Sequence, residues 1–347
     1  MMDITALIRE NVKALKPYSS ARDEFSSSAD VYLDANENPF GNGVNRYPDP
    51  YQNRVKERLA DIKGVNAKNI LLGNGSDEVL DLIFRAFCEP LQDNVVSAPP
   101  TYGMYQVLAD INNVENKRAP LKPDFSLDYE ALLSQINEQT KLLLICSPNN
   151  PSGNNLDDEV IERLLKNTNT VVVIDEAYID FTQKKSWIHR LSEFPNLIVC
   201  QTLSKAWGLA GIRLGLCFAS EEIIAVLNKI KPPYNINQLT QQKALEVLDN
   251  EEQFRQNLAL ILAEKTRLEK AMAGMLMVKG LVPSDANFFL ARFEKPREVF
   301  DILMAQGIIV RDRSRELHCE GCLRITVGTP EENDKLIAAM EKIDLTS

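Results

Sequence analysis

Long apolar runs are missing from this 347-residue chain, so no stretch of it reads as a membrane-spanning helix. Its first residues, MMDITALIRENVKALKPYSS, lack the basic head and apolar middle of a secretory signal. Basic residues are outnumbered, 39 against 49 acidic. The resulting formal net charge of −10 argues against a general nucleic-acid binder, which needs a basic face. An acidic protein that takes an anion must still build a local basic pocket. Six cysteines are too few for a dense disulfide framework, and a reducing cytoplasm is the expected location. Four of them, Cys88, Cys146, Cys200 and Cys217, sit in apolar segments as small core residues do. Internal repeats, low-complexity segments and a GxxxxGK[ST] phosphate loop are absent as well.

What is present is ordinary globular material, 44% hydrophobic and 25% charged, in a chain long enough for two domains. From residue 69 short runs rich in Val, Ile and Leu recur: NILLG at 69–73, NVVSA at 94–98, KLLLICS at 141–147, TVVVID at 170–175, NLIVCQT at 196–202 and GLCFAS at 215–220. Such runs fit strands buried on both faces of a largely parallel sheet. SDEVLDLIFRAFCEP and LDDEVIERLLKNT between them open with Ser or Asp and then acids, as helices do. This predicts an α/β domain. Beyond Asn235 the texture changes to long helix, broken near Asp249-Asn250, then strand candidates NFFLARF and CLRITVG flanking the helix PREVFDILMAQG. That predicts a smaller α+β domain. Ile4, Leu7, Ile8 and Val12 fall on one face of an expected N-terminal helix.

The residues with chemical interest cluster just past the expected strand ends, where open α/β sheets bind ligands. In TLSKAWGLAGIRLG at 202–215, Lys205 follows a strand among small and apolar residues. Desolvation there would lower its pKa and ready it for imine formation, with Thr202, Ser204 and Arg213 as phosphate partners. A bare Ser-Lys pair would read as a surface loop; the full segment is more specific. In VVVIDEAYIDF at 171–181, Asp175 ends an apolar strand, where an unpaired carboxylate is costly unless a cation meets it. Tyr178 is three residues on. The Asp-Glu pair would suit a metal site in a nucleotide-binding protein, but that needs the missing phosphate loop. SPNNPSG at 147–153 exposes Asn150 in a tight turn. LLGNGSDEVLDL at 71–82 joins strand, glycine turn and helix; Gly75, Ser76 and Asp77 offer backbone N–H groups to one phosphate, or simply cap a helix. Tyr102 in APPTYGMY is available to stack on a planar ring, or to pack on the core.

In this order, the five segments resemble the fold-type-I pyridoxal-phosphate aminotransferases, and within them the branch acting on histidinol phosphate. KPYSSARDE at 16–24, DANENPFG at 34–41, RYPDP at 46–50, VRDRS at 310–314 and CLRITVGT at 322–329 extend the resemblance over nearly the whole chain. The resemblance implies a large domain over 31–250 with a mostly parallel seven-stranded sheet between helices, a small α+β domain over 251–347, and an arm at 1–30 associated with the small domain. It implies pyridoxal 5'-phosphate as cofactor and an obligate homodimer with active sites at the interface, without nucleic acid or membrane as partners. Lys205 would hold the cofactor as a Schiff base and serve as general base, and Asp175 would pair with the pyridine nitrogen. Tyr178 and Asn150 would bond the phenolic oxygen, and Tyr102 would stack on the ring. Backbone groups at Gly75, Ser76 and Asp77 would hold the phosphate with Thr202, Ser204, Arg213 and the partner subunit's Tyr47. Tyr18, Asn36, Arg311 and Arg324 would bind substrate, Arg324 also taking the α-carboxylate of glutamate. A threonine-phosphate decarboxylase or an aromatic aminotransferase would share the cofactor set. HCEGC, with His318, Cys319 and Cys322, supplies too few ligands for a zinc site, and no metal is expected.

Overall fold

The computed structural model describes residues 3–18 and 30–345. Residues 19–24 of the KPYSSARDE segment, and 19–29 of the expected arm, lie outside the described residues.

Seven strands form the larger sheet: β1 (Ile70–Asn74), β2 (Asn94–Ser97), β3 (Glu115–Arg118), β4 (Thr140–Cys146), β5 (Val171–Asp175), β6 (Leu197–Thr202) and β7 (Leu214–Ala219). Their spatial order is β1-β7-β6-β5-β4-β2-β3. The β6-β5-β4-β2-β3 block is parallel, and β7 runs antiparallel to both β6 and β1. Alternate side chains feed two cores. Leu143, Ile145, Val172, Ile174 and Val199 bury into one face, and Leu142, Leu144, Val173, Ile198 and Cys200 into the other. Burial on both faces explains the unbroken apolar runs. β3 (ENKR) was not expected. It is a partly exposed edge strand, and its charges blunt a free edge.

The second sheet is antiparallel, in the order β10-β11-β9-β8, from β8 (Val278–Val282), β9 (Phe288–Phe293), β10 (Arg311–Asp312) and β11 (Cys322–Thr326). Leu268, Phe289, Ala291, Leu323, Ile325 and Met340 centre its core. The expected long helix is two, Gln238–Leu248 and Glu251–Ala273, separated by Asp249 and Asn250; Asn250 caps the second through Gln253 N.

The N-terminal expectation needs correction. Ile4, Leu7, Ile8 and Val12 are all buried, but on a 3-10 turn (Ile4–Leu7) followed by a short helix (Glu10–Ala14). They join the core containing Leu80, Ile83, Phe84, Phe87 and Ile224 of the large sheet's helices, and Arg9 pairs with Glu89 at 3.0 Å. Residues 3–14 are therefore fixed to the large sheet's layer, not to the small domain. Among the described residues no helix is long and apolar enough to cross a membrane.

Candidate active site

The carboxyl ends of β1, β2, β4, β5 and β6 point to one side of the sheet, and antiparallel β7 begins there. This is why segments far apart in sequence converge. A cavity of about 650 Å³ at this edge is lined by Ser76, Asp77, Tyr102, Asn150, Asp175, Tyr178, Thr202, Ser204, Lys205, Arg213, Arg311 and Arg324. Twelve of the residues singled out from the sequence thus share one wall-to-wall space.

At its base, Gly75 starts the helix Gly75–Phe87 with φ +77°, a conformation that side-chain-bearing residues rarely adopt. A Cβ there would lie 2.5 Å from Arg213 Nη2, and Gly75 N donates to Arg213 O at 2.9 Å. Opposite, an added Cβ on Gly215 would lie 2.2 Å from the Gly75 carbonyl carbon. Gly215 therefore admits the helix start against β7. Nothing local in the GIRLG run that it closes marks this role. Arg213 Nη2 lies 3.5 Å from Asp77 Oδ2, and Tyr102 donates to Asp77 Oδ1 at 3.0 Å.

Asp175 is buried at the tip of β5. It accepts from Tyr105 Oη at 3.0 Å and from Ala177 N at 3.1 Å. Burial pushes its pKa up to about 6, against the pull of those two hydrogen bonds. Tyr105, fully buried and unrecognised from sequence, is three residues beyond Tyr102; its rings-edge contact with Tyr102 spans 5.7 Å. Glu176 is buried too but is engaged away from the cavity by Ser186, Trp187 N and Gln201 Nε2, and burial raises its pKa to about 7. The two carboxylates thus do not form a joint metal site. Among the described residues no group of three or more His, Cys, Asp or Glu is placed to hold a metal.

Lys205 Nζ lies 5.6 Å from the ring centre of Tyr178, which packs edge-on against Phe288. Burial, then the charge of Arg324, lowers the Lys205 pKa. Ser204 N donates to Thr202 Oγ1 at 3.1 Å, while Ser204 Oγ is buried without a partner among the described residues. Behind Lys205, Trp207 stacks on Phe254 at 3.9 Å. Asn150 Oδ1 accepts from Arg324 Nη1 at 2.6 Å, tying the loop after β4 to the small sheet.

Three expected residues are elsewhere. Tyr18, Asn36 and Tyr47 line a separate cavity of about 880 Å³, where Tyr47 stacks on Tyr234 at 4.5 Å. One chain does not bring them to Lys205, so Tyr18 and Asn36 do not join Arg311 and Arg324 in cis. His318 Nε2 lies 3.0 Å from Leu121 O, and Cys319 and Cys322 are packed in the large core as free thiols. Arg313 also lines the Lys205 cavity, although nothing local in VRDRSRE separates it from Arg311 and Arg315.

A family profile described as aminotransferase class I and II matches residues 23–340. The chain belongs to this family. It is 56% identical to the histidinol-phosphate aminotransferase of Christiangramia forsetii over 99% of this chain and 98% of that one. Among solved structures, the histidinol-phosphate aminotransferase of Clostridium acetobutylicum superposes with a TM-score of 0.80 at 24% identity, over 88% of this chain and 92% of that one. That of Sinorhizobium meliloti, in complex with pyridoxal-5'-phosphate, gives 0.78 at 25% identity, over 87% and 83%. The chain is thus an aminotransferase of the fold-type-I class, and pyridoxal phosphate is its cofactor. The cavity fits that group. Ser204 Oγ has no partner among the described residues, Asp175 holds a buried carboxylate suited to a cationic ring nitrogen, and the Gly75 turn with Arg213 suits a phosphate.

Proposed function

We propose that this aminotransferase exchanges the amino group of L-histidinol phosphate with 2-oxoglutarate, giving imidazole acetol phosphate and glutamate. The observation that carries this reading is the placement of Arg311 and Arg324 in one cavity with Lys205 and Asp175, which sets an anion-binding wall against an amine chemistry. The 56% identity to a histidinol-phosphate aminotransferase supports the donor.

When bound, the cofactor supplies an electron sink for the carbanion at the substrate carbon. Asp175 would hold the pyridine nitrogen protonated. Gly75, Ser76 and Asp77 backbone groups, with Thr202, Ser204 and Arg213, would hold the phosphate. Tyr102 would lie against the ring, and Tyr178 would bond its phenolic oxygen. Asn150 would do so through Nδ2, since its Oδ1 is taken by Arg324. Lys205, its ammonium disfavoured by burial and by Arg324, would carry the proton from the substrate carbon. Arg324 would take the α-carboxylate of glutamate, and Arg311 the phosphate of the donor. The separation of Tyr47 from the Lys205 cavity supports a homodimer in which the partner subunit's Tyr47 reaches the cofactor phosphate. We further propose a cytoplasmic enzyme with domains at 31–250 and 251–347.

Incubation with histidinol phosphate and 2-oxoglutarate should form glutamate. No glutamate under conditions where the protein still exchanges another amino donor would remove the substrate assignment.

A further inference from the structure

The β10–β11 ladder sets Arg311 directly opposite Arg324, so their side chains share one face of the small sheet. Arg313 N donates to Cys322 O at 2.9 Å, continuing the ladder, and two residues past Arg311 its side chain returns to that face. A turn follows, with Glu316 N donating to Arg313 O at 2.9 Å, and leaves Arg315 exposed and outside the cavity. Three guanidinium groups, Arg311, Arg313 and Arg324, thus form one wall of the Lys205 cavity.

Their partners are incomplete. Arg313 Nη1 lies 2.5 Å from Glu316 Oε1, but its Nε is buried with no acceptor among the described residues. Arg324 gives Nη1 to Asn150, and among the described residues its Nε is likewise without an acceptor. Burial, then the charges of Arg313 and Arg311, works against the charge on Arg324. A carboxylate brings one negative charge to this wall and a phosphate monoester close to two. The exchange must seat both kinds of anion in turn, and the more highly charged one gains most from a third cation on the wall. We propose that Arg313 is a specificity-determining residue that reads the additional negative charge of a phosphate monoester on the amino donor. This rests on the donor class proposed above.

The test uses holoenzyme carrying Arg313→Gln, Arg313→Lys, or the control Arg315→Gln. Arg313→Gln should raise KM for histidinol phosphate on the order of tenfold, the effect of one charge-assisted contact. KM for glutamate should move by less than about twofold, a small fraction of one such contact. Arg313→Lys should recover part of the loss, and Arg315→Gln should change neither constant. Equal increases in both KM values, or none in either, would overturn the proposal. If the wild type does not use histidinol phosphate, the donor reading fails, and competition by inorganic phosphate against glutamate still tests Arg313. Weaker phosphate inhibition of Arg313→Gln than of wild type then supports its role, and equal inhibition refutes it.

Discussion

The hydrogen bond from Tyr105 to Asp175 has a consequence for stability that depends on pH. Both groups are buried, and the bond spans 3.0 Å. Burial raises Asp175 from the ordinary 3.8 to about 6 in the folded apoprotein, while Tyr105, Ala177 N and Lys205 pull it down and Asp77 pushes it up. An acid whose folded pKa is raised contributes stability fully present below its unfolded value and lost as pH rises through the folded one. At about 1.4 kcal/mol per tenfold, this loss is roughly 3 kcal/mol between pH 4 and 7. Tyr105→Phe removes a donor to an ionised carboxylate, worth about 1.5–3 kcal/mol. The Asp175 midpoint moves by the difference between that loss and the roughly 1 kcal/mol lost by the protonated form, from about 6 to roughly 6.5–7.5. At pH 8.5 the apoprotein should lose the full amount. Near pH 5, where the carboxyl is protonated in both proteins, only a neutral hydrogen bond of about 1 kcal/mol is lost. The assay is thermal unfolding of cofactor-free protein at both pH values. A loss that is equal at the two, or larger at pH 5, would refute the argument.

Other substitutions probe the remaining parts of the site. Lys205→Ala should abolish the borohydride-reducible visible chromophore and lower turnover by at least about 10²-fold, the lower range for a general base; a persistent reducible chromophore contradicts its assignment. Gly215→Ala forces a Cβ to within 2.2 Å of the Gly75 backbone, so unfolding should show a loss of about 1–3 kcal/mol together with weaker cofactor retention. An unchanged melting temperature would show that β7 and the helix start can part freely. Mixing Lys205→Ala chains with Tyr47→Ala chains should restore activity, because one site of a mixed dimer would carry neither lesion. Failure to restore it would place Tyr47 in the site of its own chain.

The legible parts of the fold share one property: their side chains are buried on both faces. β4, β5, β6 and β7 declared themselves because each is an uninterrupted apolar run. β3 did not, since ENKR at an edge carries the polarity of a loop, and the two-residue β10 is defined by its pairing to β11 alone. The N-terminal apolar stripe predicted burial correctly but not against which body, because a stripe records only that something covers it. Within the site, Lys205, Asp175, Asn150 and the Gly75 turn were legible because each sits at a strand end or within four residues of it. Tyr105 was not: its partner Asp175 is 70 residues away, and nothing local distinguishes its hydroxyl from that of Tyr102. Arg313 was obscured by Arg311 and Arg315, since only the ladder register and the turn after it decide which of the three face the cavity.

The charge distribution explains why one sheet edge can serve a protein that is acidic overall. Lys205, Arg213, Arg311, Arg313 and Arg324 line the cavity against Asp77 and Asp175, an excess of positive charge in a chain of net charge −10. The two acids are not placed to neutralise that excess evenly. Asp77 sits beside Arg213 at the helix start, and Asp175 is held by Tyr105 behind the cavity floor. Their placement divides the cations into a pair nearest the sheet, Arg213 and Lys205, and a trio on the small sheet, which no lining carboxylate faces. Two anions can therefore be seated at opposite ends with an amine between them. The Asn150–Arg324 hydrogen bond keeps the two ends in register, since it joins the loop after β4 to β11. On the proposed assignment the large sheet would determine where chemistry occurs, and the small sheet which anion reaches it. Substitution of Arg311 in β10 should consequently alter substrate preference without altering cofactor retention, whereas substitutions at the tips of β1, β5 and β6 should do the reverse.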